Sequence, residues 1–306
     1  MQAHQLRRGL GCAAFVLATC ALARAQQLPF EPHHDSGTSI TGAFEGWFAN
    51  SDGSYSLLVG YYNRNLTGPV DVPIGPNNQI EPGGPDRGQP THFVPGRNWG
   101  MFTVKVPKDF GKERLHWTIS VNGKTTVIPL DIQDVYEVSP FVDATGDTPP
   151  YVGFSDSGPF LNGPREISES ITGTVGTPVP LTAWVADDAK STLSGGGGGG
   201  ASRGRKKLEP VTVRWTMFRG PSPVTFDNAE PIVEKLPLKV TPPDTVFTGK
   251  VANTATFTEP GEYVLDLQAY DASTQIGNGG FQCCWSDAKV KVSIKAAGGK
   301  AADAGE

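Results

Sequence analysis

The residues best suited to chemistry in this 306-residue chain are few, and the adjacent pair Cys283-Cys284, followed by Trp285, is the most unusual. In an oxidising compartment neighbouring cysteines can close a disulfide across a single peptide bond, making a rigid kink beside an aromatic ring. The other readings are two thiols at a strand start, one inward and one exposed, or a thiolate pair for metal or redox chemistry. Two thiolates without a nearby histidine are a poor zinc set. Asp187-Asp188 and Asp271 each end an alternating run. If those runs lie together, their carboxylates meet at one pole and could hold Ca²⁺, which takes about six to eight oxygens. The spacing is not a calcium-loop pattern, and strand-end aspartates are commonly solvated, so no cofactor is expected.

Catalytic constellations are scarce. Gly153-Phe-Ser-Asp-Ser157 comes near the G-x-S-x-G nucleophile elbow, but its fifth residue is Ser, with no apolar strand before it and no helical pattern after it. His33-His34-Asp35 reads as a solvated tail, because adjacent imidazoles on an extended chain point apart. With only His33, His34, His92 and His116 beyond residue 25, and no H-E-x-x-H, the chain is expected not to be an enzyme. Trp47, Tyr55, Tyr61, Tyr62, Trp99 and Trp117 could include a sugar-stacking platform, although alternation alone assigns about half of them to a core.

The positioning elements follow from composition. Apolar residues make up 38%, while 38 Gly and 26 Pro exceed a fifth of the chain, a mixture that suits many short strands joined by turns. Residues 1–25 read as a cleaved leader: Arg7-Arg8, an apolar run from Gly11 to Leu22, and Ala23-Arg24-Ala25 before Gln26. That run is too short for a permanent bilayer anchor. Leu17-Ala18-Thr19-Cys20 offers a lipoprotein reading through Cys20, and Arg7-Arg8 a poorly matched twin-arginine one. Cleavage would remove three basic residues and no acidic one, taking the formal charge from −5 to −8. So acidic an exported chain is not expected to bind nucleic acid, and no transmembrane segment remains after cleavage.

Residues 26–37 should be extended. From 38 to 132 strand signals recur: 40–49 and 55–63 around the turn Asn50-Ser-Asp-Gly-Ser54, then 100–106 and 115–121. Asn122-Gly123, the chemistry of a two-residue type I′ hairpin, joins the last of these to 124–130. Residues 133–165, rich in Pro, Gly and aromatics, should form a connector lying along a domain surface. A second domain is expected over 166–295. Its alternating runs are 179–187 and 211–217, then 255–271 across the Pro260-Gly261 corner, and 288–294, whose lysines (Lys289, Lys291, Lys295) would guard an edge. Within it, the Gly-rich and basic segment 191–207 is a flexible loop, with neither the Lys-Ser/Thr ending nor the helix of a phosphate-binding loop, and 296–306 is a polar tail.

Phe257-Thr-Glu-Pro260-Gly261-Glu-Tyr263-Val-Leu265-Asp-Leu267-Gln-Ala269-Tyr-Asp271 resembles the F-x-x-P-G-x-Y-x-L-x-L-x-A-x-D signature of PKD-type and related bacterial immunoglobulin-like domains, and Val213-Arg-Trp215 resembles their tryptophan strand. Trp215-Thr-Met-Phe-Arg-Gly220 departs from the family's Asp- and Gly-rich turn. The resemblance implies that Tyr263 hydrogen-bonds back to the corner. It also implies that Leu265 and Ala183 stand, beneath Trp215, where an inter-sheet disulfide would be. The expectation is therefore an all-β chain of two tandem immunoglobulin-like antiparallel sandwiches behind a leader. It would be an exported periplasmic or extracellular binding or structural protein, acting in adhesion, envelope assembly or ligand presentation, with a protein or polysaccharide partner. The alternative is a secreted carbohydrate-active enzyme or carbohydrate-binding accessory with its site in the N-terminal domain.

Overall fold

The computed structural model describes residues 34–165, 167–190, 208–275 and 283–297. The expected leader with Cys20, His33, the glycine-rich insertion and most of the C-terminal tail lie outside them. Strands dominate the described residues. The N-terminal half contains β1 (Ile40–Ala49), β2 (Tyr55–Asn63), β3 (Val70–Asp71), β4 (Asn78–Glu81), β5 (His92–Phe93), β6 (Gly96–Val106), β7 (Arg114–Val121) and β8 (Lys124–Asp131). The C-terminal half contains β9 (Tyr151–Gly153), β10 (Ile167–Thr174), β11 (Val179–Asp187), β12 (Val211–Arg219), β13 (Val224–Phe226), β14 (Glu234–Lys235), β15 (Phe247–Phe257), β16 (Gly261–Asp271) and β17 (Trp285–Lys295).

The protein is all-β. In the first sandwich the sheet β1-β2-β6 faces the sheet β4-β7-β8, with β3-β5 as a short ribbon. Period-two alternation builds its core: Leu115, Trp117, Ile119 and Val121 of β7 are buried while His116 is exposed. Trp117 fits because β1 carries Gly42, where a Cβ would come 2.7 Å from its ring. Its indole nitrogen donates to Asn78 Oδ1 at 3.0 Å, so this fully buried side chain is also satisfied. Asn122 and Gly123 have φ of 51° and 75°, the left-handed geometry that a type I′ turn needs between β7 and β8. His34 and Asp35 are exposed, but their carbonyls accept from Leu66 and Thr67 at 3.1 Å each, which ties this end of the chain to the loop after β2.

In the second sandwich β10-β17-β16-β12 faces β13-β15-β11-β9, with β14 adding to β15. Two features differ from a pair of purely antiparallel sheets flanked by a separate connector. Residues 151–153, within the expected connector, pair with β11 as β9. And β10 runs parallel to β17, Ile167 opposite Ala288, so this sheet is mixed. β17 therefore lies inside its sheet and its lysines guard no edge. Lys291 and Lys295 are exposed, but Lys289 turns toward the first sandwich.

β16 is not half-buried, as its alternation suggests. Leu265, Leu267 and Ala269 enter the core, yet Asp266 and Gln268 on the opposite face are also at most 2% exposed. The first sandwich covers that face. Phe218 of β12 joins the first sandwich's core and Val264 packs against it. Lys289 Nζ donates to Met101 O at 2.9 Å and to Asp266 Oδ1 at 2.7 Å, while Gln268 donates to Asp287 Oδ1 at 3.0 Å. Gly100 presses so close to the Trp285 ring that a Cβ there would come within 2.1 Å of it.

Candidate functional site

The Pro260-Gly261 corner is built as a lock. Tyr263 Oη donates to Glu259 O at 2.9 Å and lies 2.8 Å from Ser222 Oγ, with the residue 1% exposed. Its ring needs Gly220, where a Cβ would stand 2.3 Å from Tyr263 Cδ1. Leu265, Ala183 and Trp215 all belong to the second core. This site is structural, and its chemistry ends at packing and hydrogen bonds.

The opposite ends of the same strands gather carboxylates. Asp187 and Asp188 end and follow β11, and Asp271 ends β16. They are 1%, 6% and 0% exposed, so the solvated reading of these strand ends is overturned. The reason is a lid that local sequence does not reveal: the connector loop 143–148 lies over them. Asp143 closes that loop by accepting from Thr145 N and Oγ1, each at 2.7 Å, and from Asp147 N at 2.9 Å. Asp147, 2% exposed, then stands within hydrogen-bonding reach of the Asp271 and Asp188 carboxyls. Thr148 Oγ1 donates to Asp188 Oδ2 at 3.0 Å, and Lys190 Nζ sits 2.9 Å from the same oxygen. Asp271 accepts from Ser273 N and Oγ, and Asp187 from Ala189 N.

Polar partners do not suffice for this many carboxylates. Asp147 Oδ1 and Asp187 Oδ1 are both buried with no hydrogen-bond partner. Burial first, and then the Asp271 and Asp188 carboxyls, push Asp147 up to about 8. Burial, followed by the same two neighbours, raises Asp187 to about 7 although Ala189 N opposes it. Burial also presses on Asp188, but the bonds from Lys190 and Thr148 prevail and hold it below the usual carboxylate range.

Cys283 and Cys284 join this pole. They form a disulfide, S–S 1.99 Å, across a cis peptide, and both residues are buried, so the reading with one exposed thiol does not describe them. Their sulfurs lie 3.8 and 3.7 Å from the Asp147 carbonyl oxygen. Carboxylate oxygens of Asp143 and Asp147 and the Cys284 sulfur lie within 4.8 Å of one another. A disulfide sulfur is not a thiolate, which leaves the carboxylates as the donors. The arrangement can share protons or take a hard cation. Asp143 and Asp147 did not stand out in the sequence; Asp143-Ala-Thr-Gly-Asp147, a carboxylate pair around a glycine in a Pro-rich stretch, was the signal.

Other expected sites disperse. Trp47, Tyr61 and Trp117 are buried in the first core, which leaves Trp99 as the most exposed tryptophan, under the Arg97 guanidinium at 3.6 Å. Ser155 Oγ is engaged with Ser157 Oγ at 2.8 Å in a local turn. Between the sandwiches a cleft of about 350 Å³ is lined by Arg87, Arg165, Arg219, Lys289 and Lys291, with Asp287 among them. Among the described residues no helix is long and apolar enough to cross a membrane.

No protein-family model matches the chain. No curated protein matches it in sequence. Among solved structures it is similar to the PapD-like domain 7 of human CEP192, at 10% identity and TM-score 0.28, covering 53% of this chain and 94% of that one. It is also similar to the D0-D1 domain of Intimin, at 14% identity and TM-score 0.23, covering 84% and 97%. An endo-fucoidan hydrolase of glycoside hydrolase family 107 matches at 10% identity and TM-score 0.21, and this chain spans 28% of it. Likenesses this distant carry no argument about function; the β-sandwich architecture rests on the sheets described above.

Proposed function

We propose that this protein is an exported, non-catalytic binding or structural protein, with the second sandwich a PKD-type immunoglobulin-like module. The observation that carries the reading is the junction. Phe218 plugs into the first core, and Lys289, Asp266, Gln268 and Asp287 form a buried network across the boundary, so the two modules make one stiff body. Stiff tandem modules suit presenting fixed surfaces to a partner, and a binding site needs pre-organisation more than chemistry. The Cys283–Cys284 disulfide accords with an oxidising compartment, and the Arg7-Arg8 to Ala25 leader would deliver the chain there. The interdomain cleft, with five basic side chains, is where an acidic protein or polysaccharide segment would bind.

The test has two arms. Fractionation with intact-mass measurement should find the chain outside the cytoplasm, beginning at Gln26; a full-length cytoplasmic chain would overturn export. Immobilised wild type should retain acidic polysaccharides or acidic peptides in a salt-sensitive way. An Arg87→Glu/Lys291→Glu variant should retain them at least tenfold more weakly. Release of reducing sugar by the wild type would overturn the non-catalytic reading.

A further inference from the structure

Four carboxylates crowd this pole. Asp147, Asp187, Asp188 and Asp271 are each more than nine-tenths buried, and Lys190 pairs with Asp188. Burying like charges together is strongly unfavourable unless something neutralises them. Independently, Asp147 Oδ1 and Asp187 Oδ1 are buried without any partner, and Asp147 is directed at the Asp188 and Asp271 carboxyls. We propose that this pole is a divalent-cation site of the calcium type, with Asp147, Asp187, Asp188 and Asp271 supplying its oxygens.

The donor set decides the metal. The four proposed ligands are hard carboxylate oxygens, none of them a histidine. The nearby sulfur is oxidised, which disfavours zinc. Carboxylates converging from three separate segments give the many, adaptable oxygens that Ca²⁺ accepts, whereas Mg²⁺ demands a strict octahedron and retains its waters. The consequence is mechanical. Asp147 belongs to the connector, Asp187 and Asp188 to the end of β11, and Asp271 to the end of β16, so one ion would staple the connector onto the second sandwich.

The experiment uses the full chain, stripped with EGTA and titrated with CaCl₂ by calorimetry, with thermal unfolding followed in parallel. The expected result is saturable one-to-one binding and a melting temperature several degrees higher in about 5 mM Ca²⁺, a concentration above the range of weak extracellular sites. EGTA should reverse the rise, and equal Mg²⁺ should do much less. Asp147→Asn should weaken binding at least tenfold while melting no lower than wild type in EGTA, because it relieves crowded carboxylates; this crossing separates a lost site from a damaged fold. Asp187→Asn gives an independent second variant. No heat and no melting shift in the wild type, or undiminished binding in both variants, would overturn the proposal and leave carboxyls that share protons.

Discussion

β16 carries two buried acidic groups of opposite character. Asp266, in its middle, faces the first sandwich and is held by Lys289, whose neighbour Asp287 accepts from Gln268. Asp271, at its end, faces Asp147 and accepts from the Ser273 amide and hydroxyl. At the junction a cation and an amide were brought along with the carboxylates, although burial still pushes Asp266 and Asp287 upward and leaves one oxygen of each without a partner. At the pole the half-exposed Lys190 pairs with Asp188, while Asp147 Oδ1 and Asp187 Oδ1 have no hydrogen-bond partner. Equal burial thus serves two ends. The network at the junction fixes two modules against each other, and the crowded carboxylates at the pole suit a bound cation.

The contrast can be broken most forcefully at Lys289. Lys289→Met strands Asp266 and Asp287 in a buried face and should lower stability by about 3–5 kcal/mol in denaturant unfolding. Adding Asp266→Asn should recover a good part of that loss. Full additivity of the two changes would mean that the network is not coupled. Lys190→Met at the pole is the matching control and should change much less, because that side chain is 46% exposed.

A smaller effect sharpens the junction's acid–base character. Glu45 accepts from Gly100 N at 2.7 Å, beneath the glycine that meets Trp285, and burial raises it to about 7 despite Arg97. Its folded form therefore keeps a proton that the unfolded chain has lost. The contribution is full below about pH 4.5 and is lost as pH rises through 7, a fall of about 3 kcal/mol. Stability curves from pH 5 to 8 should show that fall, and Glu45→Gln should flatten it. A slope unchanged in the variant would assign the pH dependence elsewhere.

The smallest effect calibrates both clusters at a place remote from them. Tyr263→Phe removes the hydroxyl that bonds Glu259 O and Ser222 Oγ, and should cost about 1 kcal/mol. An unchanged melting curve would reduce the corner to packing alone.

Much of the fold was legible because it is local. Alternation in β7 and β16 marks the core faces, and Asn122-Gly123 marks its hairpin, because period-two burial and left-handed φ are properties of a few neighbouring residues. Asp187, Asp188 and Asp271 were legible as strand ends. What escaped was everything supplied from a distance in sequence. The cover over the pole comes from Asp143–Thr148, some 40 residues before Asp188. The parallel pairing of β10 with β17 joins segments more than 120 residues apart and leaves no local pattern.

The sequence by itself determined the period of the strands, the turns between them, the corner around Tyr263, and which faces are apolar. Only the tertiary structure decided the fate of the polar faces. Asp266, Gln268 and Lys289 read as solvent-facing residues and became a junction because the first sandwich docks on them. The physical reason is that alternation records which side chains avoid water within a strand. It does not record which module or loop will later exclude water from the other side.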